Sequence, residues 1–359
     1  MDDRFRVPEE IAVRVDAEDM HATVEGIFRN LGAPEEDARR CADGLIYADL
    51  RGIDSHGVSN MTAVYVAWMK DGLINPAPVM KVIRDAPAAA TVDSDGGLGL
   101  TVGPQAMELA MDKAEACGVG TVIVTNGRHY GAAAYTAAMA LERDMIGISL
   151  TMGGLHVVPT FGSKAMIGLN PIGFAAPARR EAPFVFDAST SSTATNKIRN
   201  AKRLGVNLPG AWIATLDGTP IMEETAVPDE FLVLPLGGTR EIGSHKGYSL
   251  AVMVDILSGI LGGDPPGFQR PWPDVSHHFT AYRIDAFTDL DGFKDQMDVF
   301  LKGLRETPPA PGEERVLYAG LPEHEVEAER RERGIPYHPK VIGWFRRTAE
   351  ELGVTHRLG

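Results

Sequence analysis

The sequence predicts an α/β fold in which a sheet domain is accompanied by a helical region. Two observations lead to this prediction. Near the amino terminus, apolar residues recur at helical spacing, whereas beyond residue 78 short β-like runs alternate with helical segments. With 359 residues and 44% hydrophobic content, the chain is long enough for two domains, or for one large α/β body with a smaller helical cap.

The amino-terminal region predicts a helical hairpin. Apolar residues at helical spacing run through residues 16–51 and are interrupted by Gly32 and Pro34, which mark the break between two helices. A further helix is predicted over residues 61–70. Residues 72–78 contain glycine, asparagine and prolines, and they are therefore predicted to form a linker.

The remaining elements are predicted from alternating strand and helix patterns. The chain beyond the linker therefore predicts an α/β sheet. A charged, helical tail over residues 323–352 is broken by Pro336 and Pro339, and we expect it to pack against the amino-terminal helices. The predicted strands are 90–93, 120–125, 146–151, 184–187 and 279–286, and the predicted helices are 105–117, 132–143, 250–261 and 293–305.

Composition narrows the function classes. The 49 acidic and 35 basic residues give a net charge of −14, which disfavours nucleic acid or an anionic membrane as the main partner. The two cysteines, Cys41 and Cys117, lack metal-type spacing and predict neither a disulfide framework nor a zinc site. No apolar run has the length of a membrane span, and the first residues do not resemble a secretory signal, so we expect a cytoplasmic protein.

The most informative motif is Asp54-Ser55-His56-Gly57, at the end of the predicted hairpin. It places a carboxylate, a hydroxyl and an imidazole beside a glycine. Histidine exchanges protons most readily near neutral pH, and neighbouring polar groups fix its tautomer, so the motif is typical of proton transfer. A polar turn at the end of a helix is the alternative interpretation.

Two glycine-containing segments resemble nucleotide-binding turns. The first, residues 95–103, resembles a dinucleotide fingerprint, but we expect it to lack the βαβ context, and a plain glycine turn is favoured. The second, residues 126–131, follows a predicted strand and opens an alanine-rich helix. Its backbone amides and His129 would then meet a phosphate or another anion, although a surface turn explains the segment equally well.

Three further features carry chemistry. Asp187 ends a predicted strand, where α/β sheets gather ligands, although it equally suits an N-cap of the following helix. Lys246 precedes an apolar helix, and we expect it to meet a phosphate or a carboxylate. His277 and His278 lack a spaced partner, so a metal site is disfavoured.

Taken in order, these motifs resemble the malate/L-lactate dehydrogenase family over nearly the whole chain. This family is distinct from the Rossmann-type lactate dehydrogenases, and it includes ureidoglycolate and sulfolactate dehydrogenases, diketogulonate reductase and piperideine-2-carboxylate reductase. The motifs that carry the resemblance are residues 51–57, the His129-Tyr130-Gly131 turn, Asn170-Pro171, residues 187–190, residues 235–238 and residues 245–248.

The resemblance implies a homodimeric oxidoreductase that uses NAD or NADP and has a non-Rossmann cofactor fold. A helical domain from both chain ends (residues 1–75 and 310–359) would pack beside a mixed-sheet domain (residues 76–309). His56 would be the proton donor or acceptor, with Ser55 and Asp187 as the relay that orients it. His129 would lie near the nicotinamide, or would itself be the base.

The resemblance also implies binding residues. Substrate contacts would involve Arg51, Asn60, Tyr65 and Lys246, and we expect Arg51 or Lys246 to bind the substrate anion in place of a family arginine. Asn60 stands where the family commonly has an arginine that binds the substrate carboxylate, so a simple 2-oxo acid substrate does not follow. Cofactor contacts would come from His129, Tyr130, Gly131, Ala132, Ala133, Thr151, Asn170, Pro177, Ala178, Arg179, Lys246, Gly320, Pro322 and Glu323.

The expected activity is hydride transfer between NAD(P) and a small 2-hydroxy or 2-oxo acid, or a related polar compound, with His56 as acid or base. One alternative is reduction of a cyclic or N-alkyl imine. A second is a metal-dependent hydrolase or lyase built on His277 and His278. A third is a catalytically silent nucleotide-binding protein, which is suggested only by Asn60 at the position of the family arginine. The sequence does not choose between NAD and NADP, although Arg179 and Arg180 suit a 2′-phosphate.

Overall fold

A computed structural model describes residues 3–358 of the chain. Its α-helices are α1 (Ala17–Asn30), α2 (Glu35–Leu50), α3 (Val58–Lys70), α4 (Gly99–Cys117), α5 (Ala133–Met139), α6 (Thr195–Leu204), α7 (Ser244–Ser258), α8 (Leu290–Arg305), α9 (Leu321–Arg333) and α10 (Pro339–Leu352). Its strands are β1 (Val13–Val15), β2 (Lys81–Ala86), β3 (Ala89–Asp93), β4 (Val119–Gly127), β5 (Met145–Met152), β6 (Ile172–Ala176), β7 (Phe184–Ala188), β8 (Ile213–Ala214), β9 (Leu232–Val233), β10 (Val275–Arg283) and β11 (Ile335–Tyr337).

A seven-stranded mixed sheet forms the centre of the molecule, with the strand order β2-β3-β4-β10-β5-β6-β7. Strands β3 and β4 pair in parallel, and every other neighbouring pair in this sheet is antiparallel. The central strand β10 is buried along most of its length, whereas the edge strand β2 is exposed throughout. This contrast is expected, because a strand that is covered on both faces consists mainly of apolar residues. Polar side chains occur in such a strand only where they form hydrogen bonds.

The two chain ends build one helical layer. Asp16 caps α1 by accepting hydrogen bonds from the backbone of Glu18 and Asp19, and Pro34 directly precedes α2. The core of this layer combines residues such as Phe28 and Leu45 with Phe345 from α10. Strand β1 pairs with β11, so the first strand is held by one of the last.

The structure confirms the predicted mixed α/β fold, the helical hairpin and the return of the tail to the amino-terminal helices. One expectation was wrong. Residues 95–103 do lie in a βαβ unit, because β3 and β4 are parallel and α4 connects them. The glycines nevertheless serve packing, since a Cβ on Gly97 would lie 2.6 Å from Pro78 and one on Gly99 would lie 2.3 Å from the Cβ of Tyr130.

A third cluster lies between the sheet and α6. Phe5 stacks on Trp212 with ring centroids 5.5 Å apart, and both contact a core that includes Ile198 of α6. The sequence did not predict α6, β8 or β9. Phe5 therefore packs against α6. Within residues 3–358, no helix is both long and apolar enough to cross a membrane.

Candidate active site

A cavity of about 1160 Å³ lies between the helical layer, the sheet and α6. Its volume exceeds the ~300–1,000 Å³ of typical small-molecule pockets, so it has room for a cofactor together with a small substrate. Many of the residues predicted from the sequence line it. They are Arg51, Ser55, His56, His129, Tyr130, Gly131, Ala133, Thr151, Asp187, Gly320 and Glu323.

The other predicted site residues lie outside the cavity wall. Asn170 is fully buried behind it, where its side chain bonds the backbone of Gly153 and Ala251 and the Asp255 carboxylate. It therefore ties α7 to the end of β5. The remaining predicted residues outside the wall are Asn60, Tyr65, Ala132, Pro177, Ala178, Arg179, Lys246 and Pro322.

Residues 54–57 lie between α2 and α3, and we call them the catalytic loop because they contain His56, the acid-base residue predicted from the sequence. Asp49 of α2 reaches across this turn and accepts a hydrogen bond from the Val58 backbone at 3.1 Å, which caps α3. A Cβ on Gly57 would lie 1.7 Å from the Asp49 carboxylate. Glycine at position 57 is therefore required by the close approach of a buried carboxylate.

Residues from the far end of the chain hold the same loop. Tyr337 donates a hydrogen bond to Asp49 at 2.9 Å, and Arg330 pairs with Asp54 at 2.7 Å while also donating to the Asp49 carbonyl. Burial, and then the charge of Asp54, raises the pKa of Asp49 to about 7. The loop thus rests on a buried polar network that joins α2, α9 and β11.

His56 presents one ring nitrogen to the cavity. Its Nδ1 lies 2.9 Å from the Ser55 hydroxyl, and within residues 3–358 its Nε2 has no hydrogen-bond partner. Burial lowers the pKa of His56 to about 4, so the imidazole is neutral at physiological pH. A neutral imidazole with Nδ1–H bonded to Ser55 has its Nε2 lone pair available to accept a proton.

His129 lies parallel to His56, with ring centroids 5.6 Å apart and an interplanar angle of 10°. Its Nδ1 accepts the backbone N–H of Gly131 at 3.2 Å, and Tyr65 places its hydroxyl 2.6 Å from the same atom. A backbone N–H only donates, so the neutral His129 ring has its proton on Nε2. Burial, reinforced by the charge of His56, holds the pKa of His129 well below its usual value. His129 is therefore a hydrogen-bond donor to the cavity.

Asp187 does not contact the catalytic loop by a hydrogen bond within the described residues. Instead, its carboxylate accepts the backbone N–H of Ala134 at 2.8 Å, at the start of α5. The helix terminus expected to meet a phosphate thus already has an anionic partner. Burial raises the pKa of Asp187 to about 6. The expectation that Asp187 caps the helix that follows it in sequence was wrong, because α6 begins after Ala194 and the Asp187 carboxylate bonds the start of α5.

Arg51 and Tyr65 act through neighbouring side chains. Arg51 pairs with Glu327 at 2.8 Å and lies over the Tyr47 ring, with 4.6 Å between the guanidinium carbon and the ring centroid. Tyr65 is fully buried, and its hydroxyl contacts His129. Tyr65 therefore orients His129 and does not line the cavity itself.

Helix α6 supplies a wall that the sequence prediction missed. Seven residues of α6 line the cavity, and three of them are basic. A basic helix face is usually a solvated one, so only the position of α6 after β7 could have indicated a role. We call the three basic residues and the neighbouring Asn196 the α6 wall; it consists of Asn196, Lys197, Arg199 and Lys202.

Lys246 and Arg179 lie elsewhere. Lys246 is exposed at the start of α7. Arg179 is paired with Asp291 and Asp295, at 2.7 and 2.6 Å, and Arg180 pairs with Asp298 at 3.1 Å. These ion pairs leave no support for the suggestion that the two arginines meet a 2′-phosphate.

His277 and His278 alternate along β10 and bond different groups. Both ring nitrogens of each histidine lie within hydrogen-bond distance of protein atoms. The partners of His277 are the Thr151 hydroxyl and the Arg128 carbonyl. The partners of His278 are the Leu257 carbonyl and the Thr280 hydroxyl. No cluster of metal-binding side chains occurs in residues 3–358. These contacts do not favour the hydrolase alternative.

The cavity also carries features that suit a bound cofactor. Gly153, after β5, lines it with open space where a Cβ would project. The Tyr47 side chain also lines it, and the Tyr47 hydroxyl is buried without a hydrogen-bond partner within the described part of the chain. A glycine in the wall and a buried hydroxyl without a partner suit a site that binds a polar, flat ligand.

Comparison with known proteins identifies the family. The family model of malate/L-lactate dehydrogenase matches residues 15–345. The chain belongs to this family. The malate dehydrogenase of Pyrococcus abyssi is 39% identical over 348 residues, covering 95% of this chain and 96% of the relative. The L-sulfolactate dehydrogenase of Methanocaldococcus jannaschii is 34% identical and covers 91% of this chain and 94% of its own.

The fold agrees with that of solved family members. The malate dehydrogenase from Pyrococcus horikoshii OT3 superposes with a TM-score of 0.89 at 35% identity, covering 98% of this chain and 99% of that one. The malate/L-lactate dehydrogenase family member described here is therefore an NAD(P)-dependent oxidoreductase of hydroxy acids. This assignment replaces two of the alternative functions considered from the sequence, a metal-dependent hydrolase or lyase and a catalytically silent nucleotide-binding protein.

Proposed function

We propose that the protein oxidises a small 2-hydroxy acid of the malate or sulfolactate type, and reduces the corresponding 2-oxo acid, with His56 as the acid-base residue. The relatives named as malate and sulfolactate dehydrogenases motivate the substrate class. The observation that carries the role of His56 is its place in the cavity wall, with Nδ1 at Ser55 and no hydrogen bond from Nε2 within the described residues. The lowered pKa, caused by burial, agrees with a neutral, proton-accepting ring.

In the oxidation direction, His56 takes the proton of the substrate hydroxyl at Nε2. In this proposal the Ser55 hydroxyl, 2.9 Å from Nδ1, accepts Nδ1–H, and it continues to accept that bond when the ring becomes positively charged. His129, with its proton on Nε2, serves as a donor to an oxygen of substrate or cofactor and not as the base. The roles of the stacked histidines are thus divided by their tautomers.

NAD or NADP fits the cavity wall between the sheet and the helical layer. When bound, the nicotinamide accepts or supplies the hydride. The protein contributes orientation and exclusion of water. The residues proposed to hold it are Tyr47, Tyr130, Gly131, Ala133, Thr151, Gly153, Gly320 and Glu323.

We also propose that the protein is a cytoplasmic homodimer that pairs through α7. Apolar side chains on this helix and the turn after it are exposed at spacings of three and four residues and form one stripe: Leu250, Met253, Ile256 and Ile260. The exposed Leu261 follows directly after Ile260. Contiguous exposed apolar surface of this kind usually marks an interface. Light scattering should give a dimer mass for the wild type and a monomer mass for Ile256→Glu, with Val299→Glu on α8 as control.

The activity is tested by following nicotinamide absorbance with a panel of 2-hydroxy acids, 2-oxo acids and cyclic imines. We expect the highest kcat/KM with a hydroxy or oxo acid. His56→Gln should lower kcat by about 10²–10⁴-fold, the usual range for general acid-base catalysis, while cofactor binding measured by fluorescence is retained. His129→Gln should lower it less. A variant at position 56 with near-normal turnover would exclude the proposed mechanism, and turnover of imines alone would assign the reductase alternative.

A further inference from the structure

Position 60 does not bind the substrate anion in this chain. Asn60 is buried, and its amide nitrogen donates to the Asp54 carbonyl at 2.7 Å and to the Asn200 side chain at 3.0 Å. Its amide oxygen accepts a hydrogen bond from Arg203 at 3.2 Å. Asn60 therefore uses its polar atoms within the protein and lies outside the cavity wall.

The carboxylate of a 2-hydroxy acid still needs a cationic partner. Several cationic side chains line the cavity, but most of them already form an ion pair or a cation–π contact within the protein. Arg51 pairs with Glu327, and Lys202 pairs with Asp229 at 2.9 Å. Lys197 lies over the rings of Phe5 and Trp212, 4.9 and 5.1 Å from their centroids. Cations held in this way are poor candidates to bind an incoming carboxylate.

Arg199 differs from these cations. It lines the cavity and is exposed, and within residues 3–358 it forms no ion pair. Its single hydrogen bond in the described structure runs from Nη1 to the Asn196 side chain at 3.0 Å. The other donors of its guanidinium fork are therefore available to a planar acid group, which such a fork binds in a bidentate manner.

Asn196 places Arg199 beside the catalytic loop. The Asn196 amide nitrogen donates to the Ser55 carbonyl at 2.9 Å, while its amide oxygen accepts from Arg199. One side chain thus links the guanidinium to the residue next to His56. The charge of Arg199 lowers the pKa of His156, after burial, and it lowers the pKa of His129 after burial and the charges of His56 and His277. Arg199 therefore acts on the same cavity.

We infer that Arg199 binds an acidic group of the substrate, a carboxylate or a sulfonate, in place of the residue at position 60. This inference rests on the proposed oxidation of a hydroxy acid. Asn196 is the positioning residue, because it orients Arg199 without contacting the reacting atoms. The anion-binding function has moved from the start of α3 to α6 while His56 has kept its place.

The test compares Arg199→Gln and Arg199→Lys with Lys202→Gln, a control that removes one charge from the same wall. KM and kcat are measured at constant ionic strength for the monocarboxylic and the dicarboxylic hydroxy acid that the wild type oxidises best. Arg199→Gln should raise KM by about 10- to 100-fold, as expected for loss of hydrogen bonds to a charged group, with a smaller change in kcat. Arg199→Lys should recover part of the loss, and Lys202→Gln should stay within about twofold.

The substrate pair locates the acid group. An increase in KM for both substrates places Arg199 on the carboxylate next to the reacting carbon, and an increase for the dicarboxylic acid alone places it on the distal group; both support the inference. An unchanged KM for Arg199→Gln with an active wild type overturns it and leaves the proposed function intact. An equal increase for Lys202→Gln also overturns it. A wild type inactive with every hydroxy acid removes the proposed function and this inference together.

Discussion

The catalytic loop and the α6 wall face the same cavity but are held in different ways. The loop is fixed by buried contacts from Asp49, Arg330 and Tyr337. Within the α6 wall, Arg199 and Lys202 are exposed, and their hydrogen bonds run to Asn196 of the same helix and to the exposed Asp229. The difference separates a tightly held loop, which carries the predicted acid-base residue His56, from a helix face whose exposed basic side chains can change without disturbing that loop.

The largest expected effect comes from Gly57→Ala. Its Cβ would overlap the Asp49 carboxylate and displace the cap of α3, so we expect the free energy of unfolding to fall by about 2–4 kcal/mol. kcat should fall by more than about tenfold, because a shift of the loop misplaces His56. Gly303→Ala on α8, where nothing lies within 4 Å of the new Cβ, is the control and should be neutral or stabilising. Urea unfolding and steady-state rates measure both effects, and equal stabilities of the two variants would contradict the rigid-loop description.

Tyr337→Phe should have the next largest effect. It removes one of the two donors to the buried Asp49 carboxylate, for a loss of about 1–3 kcal/mol in unfolding free energy. Tyr282→Phe is matched to it, since the Tyr282 hydroxyl has no hydrogen bond in the described structure. Thermal or urea unfolding compares the two. Identical losses would show that the network does not stabilise the loop.

The pH dependence of hydroxy acid oxidation tests the loop at His56 itself. Burial lowers the pKa of His56 from its ordinary 6.5 to about 4, so the neutral, proton-accepting form persists as the pH falls through 6.5. kcat/KM should therefore stay nearly level between about pH 5.5 and 7.5, whereas an unshifted histidine would already have lost about tenfold at the lower end. Rates are measured in buffers of constant ionic strength. A midpoint near 6.5 that is absent from His56→Gln would show that this imidazole is not desolvated.

The smallest effect is expected on the α6 wall. Lys202→Gln breaks an exposed ion pair with Asp229, and surface pairs of this kind contribute about 0–1 kcal/mol. The change in unfolding free energy caused by Lys202→Gln should be smaller than the change caused by Tyr337→Phe. Urea unfolding at low and high salt provides the measurement. A loss above about 2 kcal/mol would mean that the α6 wall is as tightly held as the loop, contrary to the comparison.

The contrast between the catalytic loop and the α6 wall also explains which contacts of the site could be predicted from the sequence. Ser55 and His56 are neighbours in the chain, so their contact was predictable from a short motif. Asp49 and Tyr337 are 288 residues apart, and nothing local to either residue indicates the other. Asp187 was correctly placed at a strand end, but its partner is the backbone of α5, which depends on how the sheet folds. Arg199 was missed because a basic helix resembles a solvated one until its place beside the cavity is known.

The network around Asp49 also sets the order in which the site is completed during synthesis. Arg330 follows Asp54 by 276 residues, and Tyr337 follows Asp49 by 288. A ribosome has therefore to translate almost the whole sequence before the loop that carries His56 gains its supporting contacts. Emerging chains hold the complete hydroxyl–imidazole pair early, but the loop lacks its contacts with Arg330 and Tyr337 until α9 and β11 have been made.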